Sequence, residues 1–195
     1  MPGRRERKVV TVLFADLVGF TSRSEQLDPE DVAEELGSYH SHVREELERY
    51  GGTVEKFIGD AVMAVFGAPV AHEDDPERAV RAALGILAWA EEEGIEMRIG
   101  VNTGEVVVGT GERLATGDAV NVAARLQQGA DPDEILLGDA THELVRGAVD
   151  AAPVEPLVLK GKAERVAAHK RRTRGARARA RRAVRRARAR GGVDR

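Results

Sequence analysis

The chain has 195 residues, 42% of them hydrophobic, with no cysteine and a formal net charge of −3. That length suits one domain with a full core plus a tail, and the lack of cysteine excludes disulfides and thiolate zinc sites. The net charge hides a split. Residues 170–195 hold 13 basic residues and one acid, which leaves residues 1–169 with 17 basic and 32 acidic residues, a balance of −15. No window approaches the ~20 apolar residues of a spanning helix. The apolar run after MPGRRERK stops at Asp16, too early for a signal segment. The expectation is a cytoplasmic protein with no membrane span.

Residues 9–14 (VVTVLF) are β-branched and apolar and predict a buried strand. Asp28-Pro29 opens a helix whose inner face is Val32, Leu36, Tyr39, Val43, Leu47 and Tyr50, and Gly51-Gly52 ends it. TVEKFI and AVMAVF read as two strands of a hairpin turning at Gly59-Asp60. Asp75-Pro76 starts a second helix, with Ala79, Val80, Ala83, Leu84 and Leu87 inward and Gly94 as its stop. Strand-like segments follow at 96–102 and 105–109. A third helix is expected from about Gly117 to Gln128, ending at Gly129. The rest (EILLG, a short helix from 139, PLVLKGK and RVAAHK) reads as strand-rich.

A hairpin between two helices in this order implies an α+β fold of the ferredoxin-like, split βαβ kind. The expected architecture is a mainly antiparallel sheet with helices on one face. The expected domain covers residues 1–170. Residues 171–195 form an Arg/Ala-rich tail, with residues 171–190 nearly all Arg and Ala and no stripe to bury, for which disorder is expected. Such a tail is a solvated arm, a weak non-specific contact for nucleic acid or an anionic surface, or a run translated from a GC-rich gene out of frame. The acidic body has no basic face of its own, which argues against nucleic-acid binding as the main function.

Asp16 follows the first strand and Asp60 sits at the hairpin turn. In the split βαβ plan these two acids meet at one sheet end, and paired carboxylates suit Mg²⁺, which shares its shell with phosphates. An acid closing an apolar strand is costly unless paired or bound, whereas Gly-Asp is also an ordinary turn pair. After Asp16, the turn at Gly19, Phe20 and Thr21 can present backbone N–H groups to a phosphate chain. Asp118, Asn121 and Arg125 are spaced to share one helix face. They suit either an internal ion pair or contacts to a ribose and a phosphate. The His72-Glu73-Asp74-Asp75 run reads as an acidic helix start rather than a metal cluster, and Trp89 as helix packing.

FADLVGFT, EKFIGDAVMAVFG, RIGVNTGEVVVG and GDAVNVAARL, in that order, resemble the catalytic domain of class III adenylate and guanylate cyclases over roughly residues 8–170. Diguanylate cyclases share the plan, but their GGDEF signature is missing; GGTVE at 51–55 does not replace it. The resemblance implies an adenylate cyclase making 3′,5′-cyclic AMP and pyrophosphate from ATP. Asp16 and Asp60 resemble the pair that binds two Mg²⁺ or Mn²⁺ ions. Lys56 resembles the lysine that reads adenine N1, Asn121 the ribose-orienting residue, and Arg125 the transition-state arginine. Lys160 or Lys162 resembles the lysine at the terminal phosphates. In the family the metal acids come from one subunit and the lysine, Asn and Arg from the other, so a homodimer is implied. Leu114 departs from the pattern: family members that prefer adenine carry Asp or Thr there as a hydrogen-bond acceptor. Lys56 favours ATP, and Leu114 implies looser base selection. The alternative is a non-catalytic cyclase-like module that binds nucleotide and signals by dimerising, but such modules normally lose a metal acid or the arginine, and this chain keeps Asp16, Asp60 and Arg125.

Overall fold

Twelve residues of β1 (Glu6–Leu17) form the spine of the domain, paired antiparallel on both sides. The structure, a computed structural model, describes residues 6–109, 115–156 and 167–171. After β1 come α1 (Phe20–Ser24), α2 (Pro29–Arg49), β2 (Thr53–Ile58), β3 (Ala61–Phe66), α3 (Asp75–Glu93) and β4 (Met97–Val108). β5 (Ala115–Thr116), α4 (Asp118–Gly129), β6 (Glu134–Gly138), α5 (Asp139–Val145), β7 (Ala151–Pro153) and β8 (Ala168–Arg171) complete it. The sheet order is β2-β3-β1-β4-β6-β8-β7, with β5 on the end of β4. Every pairing is antiparallel except β4 with β6. The first four strands thus have the split βαβ order expected from the sequence.

The helices do not all lie on one face, which corrects the single-faced expectation. Leu13, Ala15 and Leu17 of β1 pack with Tyr39, Val43 and Leu47 of α2 and Ala79, Val80, Ala83 and Ile86 of α3. The alternate residues Val10 and Val12 join Met63 and Val65 in a second cluster with Ala119 and Ala123 of α4. A central strand that is apolar on both faces needs cover on both, and α4 supplies the second. Burying such side chains stabilises the domain by about 1.5–3 kcal/mol each.

Two glycines of β4 let α4 come close. A methyl group at Gly100 would collide with the backbone N of Gln127 and O of Ala123, and one at Gly104 would lie 2.9 Å from the Ala119 methyl. Asn102 Nδ2, also from β4, donates to the Ala119 carbonyl at 3.2 Å. The segments expected as separate strands at 96–102 and 105–109 are one strand, because β1 pairs along its whole length, from Glu6↔Val108 to Leu17↔Met97. The acidic run before α3 is a helix start, as expected: Asp75 Oδ2 accepts from His72 N at 2.7 Å and Arg78 pairs with Asp74. Trp89 packs against α2, stacked on His42 at 4.3 Å. Residues 157–162 of PLVLKGK and the Arg/Ala tail after Arg171 lie outside the described residues, and β8 ends at Arg171. Among the described residues no helix is long and apolar enough to cross a membrane.

Candidate active site

Strand register brings the two acids together. Asp16 is the penultimate residue of β1, and Asp60 lies in the β2–β3 turn after Gly59, whose φ of 61° sets the reversal. Because Ala15 pairs with Val62, Asp60 is carried to the end of β1. Burial first, then the charge of Asp60 and a hydrogen bond with its carboxyl, pushes Asp16 up from its ordinary 3.8 to about 6. Arg98, the cross-strand partner of Asp16 on β4, pulls weakly the other way. From α4, Gln127 Nε2 donates to Asp16 Oδ2 at 3.4 Å. From α2, His40 Nε2 donates to the Gly59 carbonyl at 2.8 Å, with its ring against Phe57 at 4.1 Å, which ties the helix to the turn bearing Asp60.

Oxygen donors of this kind suit a hard divalent cation. A half-buried carboxylate beside a second one gains more from an added cation than from any neutral neighbour. Among the described residues no group of three or more His, Cys, Asp or Glu is assembled for a metal. Asp16 and Asp60 would therefore hold a cation whose remaining ligands are water or phosphate oxygens.

The other expected residues lie on several elements. Gly19 takes a φ of 72° at the turn from β1 into α1, and Thr21 is exposed beside it. The Phe20 side chain is buried in the main core, which leaves its backbone as the part that could meet a phosphate. Lys56 is exposed on the edge strand β2. On α4, Asn121 is exposed and Arg125 half-buried, while Ala119, Val122, Ala123, Leu126 and Gln127 are buried. Helix phase then separates their roles. Arg125 precedes Gln127 by two residues, which is about 200° around an α-helix. With Gln127 turned to Asp16 of its own chain, Arg125 leaves α4 on another side. Leu114, Lys160 and Lys162 lie outside the described residues.

Gln127, Arg98 and Tyr39 border the acid pair and were not singled out as site residues from the sequence. Tyr39 matches the apolar stripe of α2, and nothing in that periodicity reports on its hydroxyl. Gln127 carried a readable signal, as a polar residue in line with Ala119 and Ala123 on the buried face of its helix.

The model of the "Adenylate and Guanylate cyclase catalytic domain" family matches residues 4–170. Adenylate cyclase 1 of Rhizobium meliloti is 38% identical over 137 residues, 62% of this chain and 21% of that protein. The crystal structure of the adenylyl cyclase CyaB from P. aeruginosa superposes with a TM-score of 0.83 at 29% identity, covering 89% of this chain and 98% of that one. The guanylate cyclase domain of RhGC from Catenaria anguillulae, in complex with GTP, gives 0.80 at 29% identity, covering 87% and 100%. This chain spans between 8% and 21% of the length of the first curated relatives it matches.

Proposed function

Since the chain belongs to the adenylate and guanylate cyclase catalytic domain family, we propose that it converts ATP to 3′,5′-cyclic AMP and pyrophosphate at a site shared between two copies of itself. The observation that carries this reading is the Asp16–Asp60 pair, set by strand register, in which burial first and then the charge of Asp60 raise Asp16 to about 6. A site that must receive a triphosphate with its cations needs this concentration of negative charge.

The reaction breaks the bond between the α-phosphorus and the oxygen bridging to the β-phosphate. The ribose 3′-oxygen forms the new bond to the α-phosphorus and gives up its proton. Mg²⁺ or Mn²⁺, two per site on Asp16 and Asp60, would lower the barrier to that proton loss and neutralise the leaving pyrophosphate. Arg125 would stabilise the charge gathering on the α-phosphoryl oxygens, which is where a fixed guanidinium acts most strongly. Asn121 would orient the ribose, Lys56 would donate to adenine N1, and Lys160 or Lys162 would hold the terminal phosphates. Gly19, Phe20 and Thr21 would add backbone contacts to the phosphate chain. Lys56 favours ATP, while Leu114 cannot accept from the adenine amino group, so discrimination against GTP is modest.

The divergence of Gln127 and Arg125 around α4 supports a shared site. Gln127 meets Asp16 of its own chain, and Arg125 points elsewhere, where it would serve a second copy. Closed two-fold symmetry then gives two sites per dimer. The test mixes two inactive proteins, Asp16→Ala and Arg125→Ala. Random exchange makes half the dimers mixed, each with one intact site, so the mixture recovers about a quarter of wild-type cyclic AMP production. Absence of recovery despite demonstrated subunit exchange would overturn the shared site. Turnover of GTP equal to or above that of ATP in the wild type would overturn the choice of base.

A further inference from the structure

Tyr39 is 1% exposed and is among the largest fully buried side chains. Its ring lies in the main core, stacked toward Trp89 with centroids 6.4 Å apart. Its hydroxyl is buried and meets no hydrogen-bond partner among the described residues. Buried polar groups are nearly always paired, and a hydroxyl left alone loses its hydration with nothing in return. Phenylalanine would fill the same core position without that loss, so the oxygen needs a reason.

Its surroundings supply one. The hydroxyl lies in the field of both Asp16 and Asp60, whose charges add to burial in raising its affinity for its proton. It therefore keeps its proton and remains able to donate. The next residue, His40, is bonded to Gly59, immediately before Asp60, so this turn of α2 is fixed to the turn that carries the second acid. Asp16 meanwhile takes a long hydrogen bond from Gln127 at 3.4 Å.

We propose that Tyr39 is a positioning residue for the metal pair: its O–H donates to a carboxylate oxygen of Asp16 or Asp60 when those acids hold a divalent cation. A cation keeps both acids ionised and turns one oxygen of each toward itself. The remaining oxygens then need donors from the protein side: Gln127 already reaches Asp16, and Tyr39 is a second buried donor. Donors of this outer kind fix the orientation of metal-binding carboxylates, and their loss typically costs ten-fold or more in metal affinity. This inference rests on the reading of Asp16 and Asp60 as the cation-binding pair.

The experiment titrates full-length protein with Mn²⁺ alone, following free Mn²⁺ by electron paramagnetic resonance. Wild type, Tyr39→Phe and an Asp16→Ala/Asp60→Ala double variant are compared, and metal-free thermal melts are run on all three. Tyr39→Phe is expected to melt at or above the wild-type temperature without metal and to bind Mn²⁺ about ten-fold more weakly. The chain has two tyrosines, so Tyr50→Phe provides a control that keeps wild-type affinity. Mn²⁺ should also perturb the near-ultraviolet tyrosine signal of the wild type and not that of Tyr39→Phe. Equal Mn²⁺ affinity in wild type and Tyr39→Phe would overturn the proposal, as would a clearly lower metal-free melting temperature, which would mean the hydroxyl is already paired in the fold. Wild-type binding no tighter than that of the double variant would instead refute the cation pair itself, and this inference with it.

Discussion

Replacing Asp16 with Asn should make the metal-free protein more stable while abolishing its activity. The carboxyl is raised from 3.8 to about 6 by burial and by Asp60. For a fully withdrawn acid, that change corresponds to about 3 kcal/mol against the ionised form. The group is only half-buried, and solvent screening reduces the penalty to on the order of 1 kcal/mol. An acid whose pKa is higher folded than unfolded binds more protons in the fold, so it favours folding below about pH 4 and loses that contribution as pH rises through about 6. Asn never ionises, and its amide oxygen still accepts from Gln127. In EDTA, then, Asp16→Asn and wild type should melt together near pH 4. They should separate between pH 4 and 6 and differ by about 2–4 °C above pH 7, the shift expected per kcal/mol for a domain of this size. Saturating Mn²⁺ should reverse the order, because only the wild type gains a bound ion. Thermal melts across pH, with and without metal, measure all of this. If Asp16→Asn melts below wild type at pH 7.5 in EDTA, the two acids do not burden each other and the electrostatic reading of the site fails.

Gly100→Ala places a methyl group on the backbone of Gln127 and Ala123. It should cost about 1–3 kcal/mol in urea denaturation, the usual range for an overpacked contact, and lower the rate with it, since Arg125 moves with α4. An unchanged denaturation midpoint would mean that α4 can shift freely. Leu114→Asp should widen the preference for ATP over GTP in kcat/KM by about ten-fold or more, the size of one buried hydrogen bond of 1–3 kcal/mol; an unaltered ratio would show that this position does not face the base. Deleting residues 172–195 should leave both the cyclic AMP rate and the melting temperature unchanged, because β8 ends at Arg171 and every assigned residue precedes the cut. A loss in either would make the tail part of the working domain.

Much of the domain was legible because its signals are local. The spacing of Val32, Leu36, Tyr39, Val43 and Leu47, closed by Gly51-Gly52, places α2 almost residue for residue. Gly94 ends α3 in the left-handed conformation that glycine adopts freely. Three features were not legible for want of a local signal. The continuity of β4 through Asn102 and Gly104 depends on β1 being equally long. The position of α4 on the second face depends on Val10, Val12, Met63 and Val65 lying outside the first core, which only the pairing of β1 with β3 decides. β7, with the sequence AAP, has no strand propensity and exists because β8 offers an edge. The acid pair itself could be placed in advance because topology alone brings Asp16 beside Asp60. Its supporting groups could not, since Tyr39, Arg98 and Gln127 arrive from three different elements.

α4 joins the second core cluster, the long strand β4 and the acid pair. The line of α4 that meets β4 is Ala119, Ala123 and Gln127, four residues apart, and the first two are as small as a side chain can be without being glycine. Opposite them β4 has Gly100 and Gly104. Small residues on both sides leave the helix little room to slide or rotate, so the direction in which each side chain departs is fixed by the backbone rather than by flexible packing. Under the shared-site reading this rigidity has a use. Gln127 fixes the helix to Asp16 of its own chain, while Asn121 and Arg125 are presented together on another side at a set angle. A rotation of α4 large enough to improve one of these contacts would spoil the other. The metal acids of one site and the arginine serving its two-fold mate are thereby held to a common frame. A dimer that divides its chemistry between chains requires such a frame, because a misplacement of about 1 Å between reacting groups can cost a hundred-fold in rate.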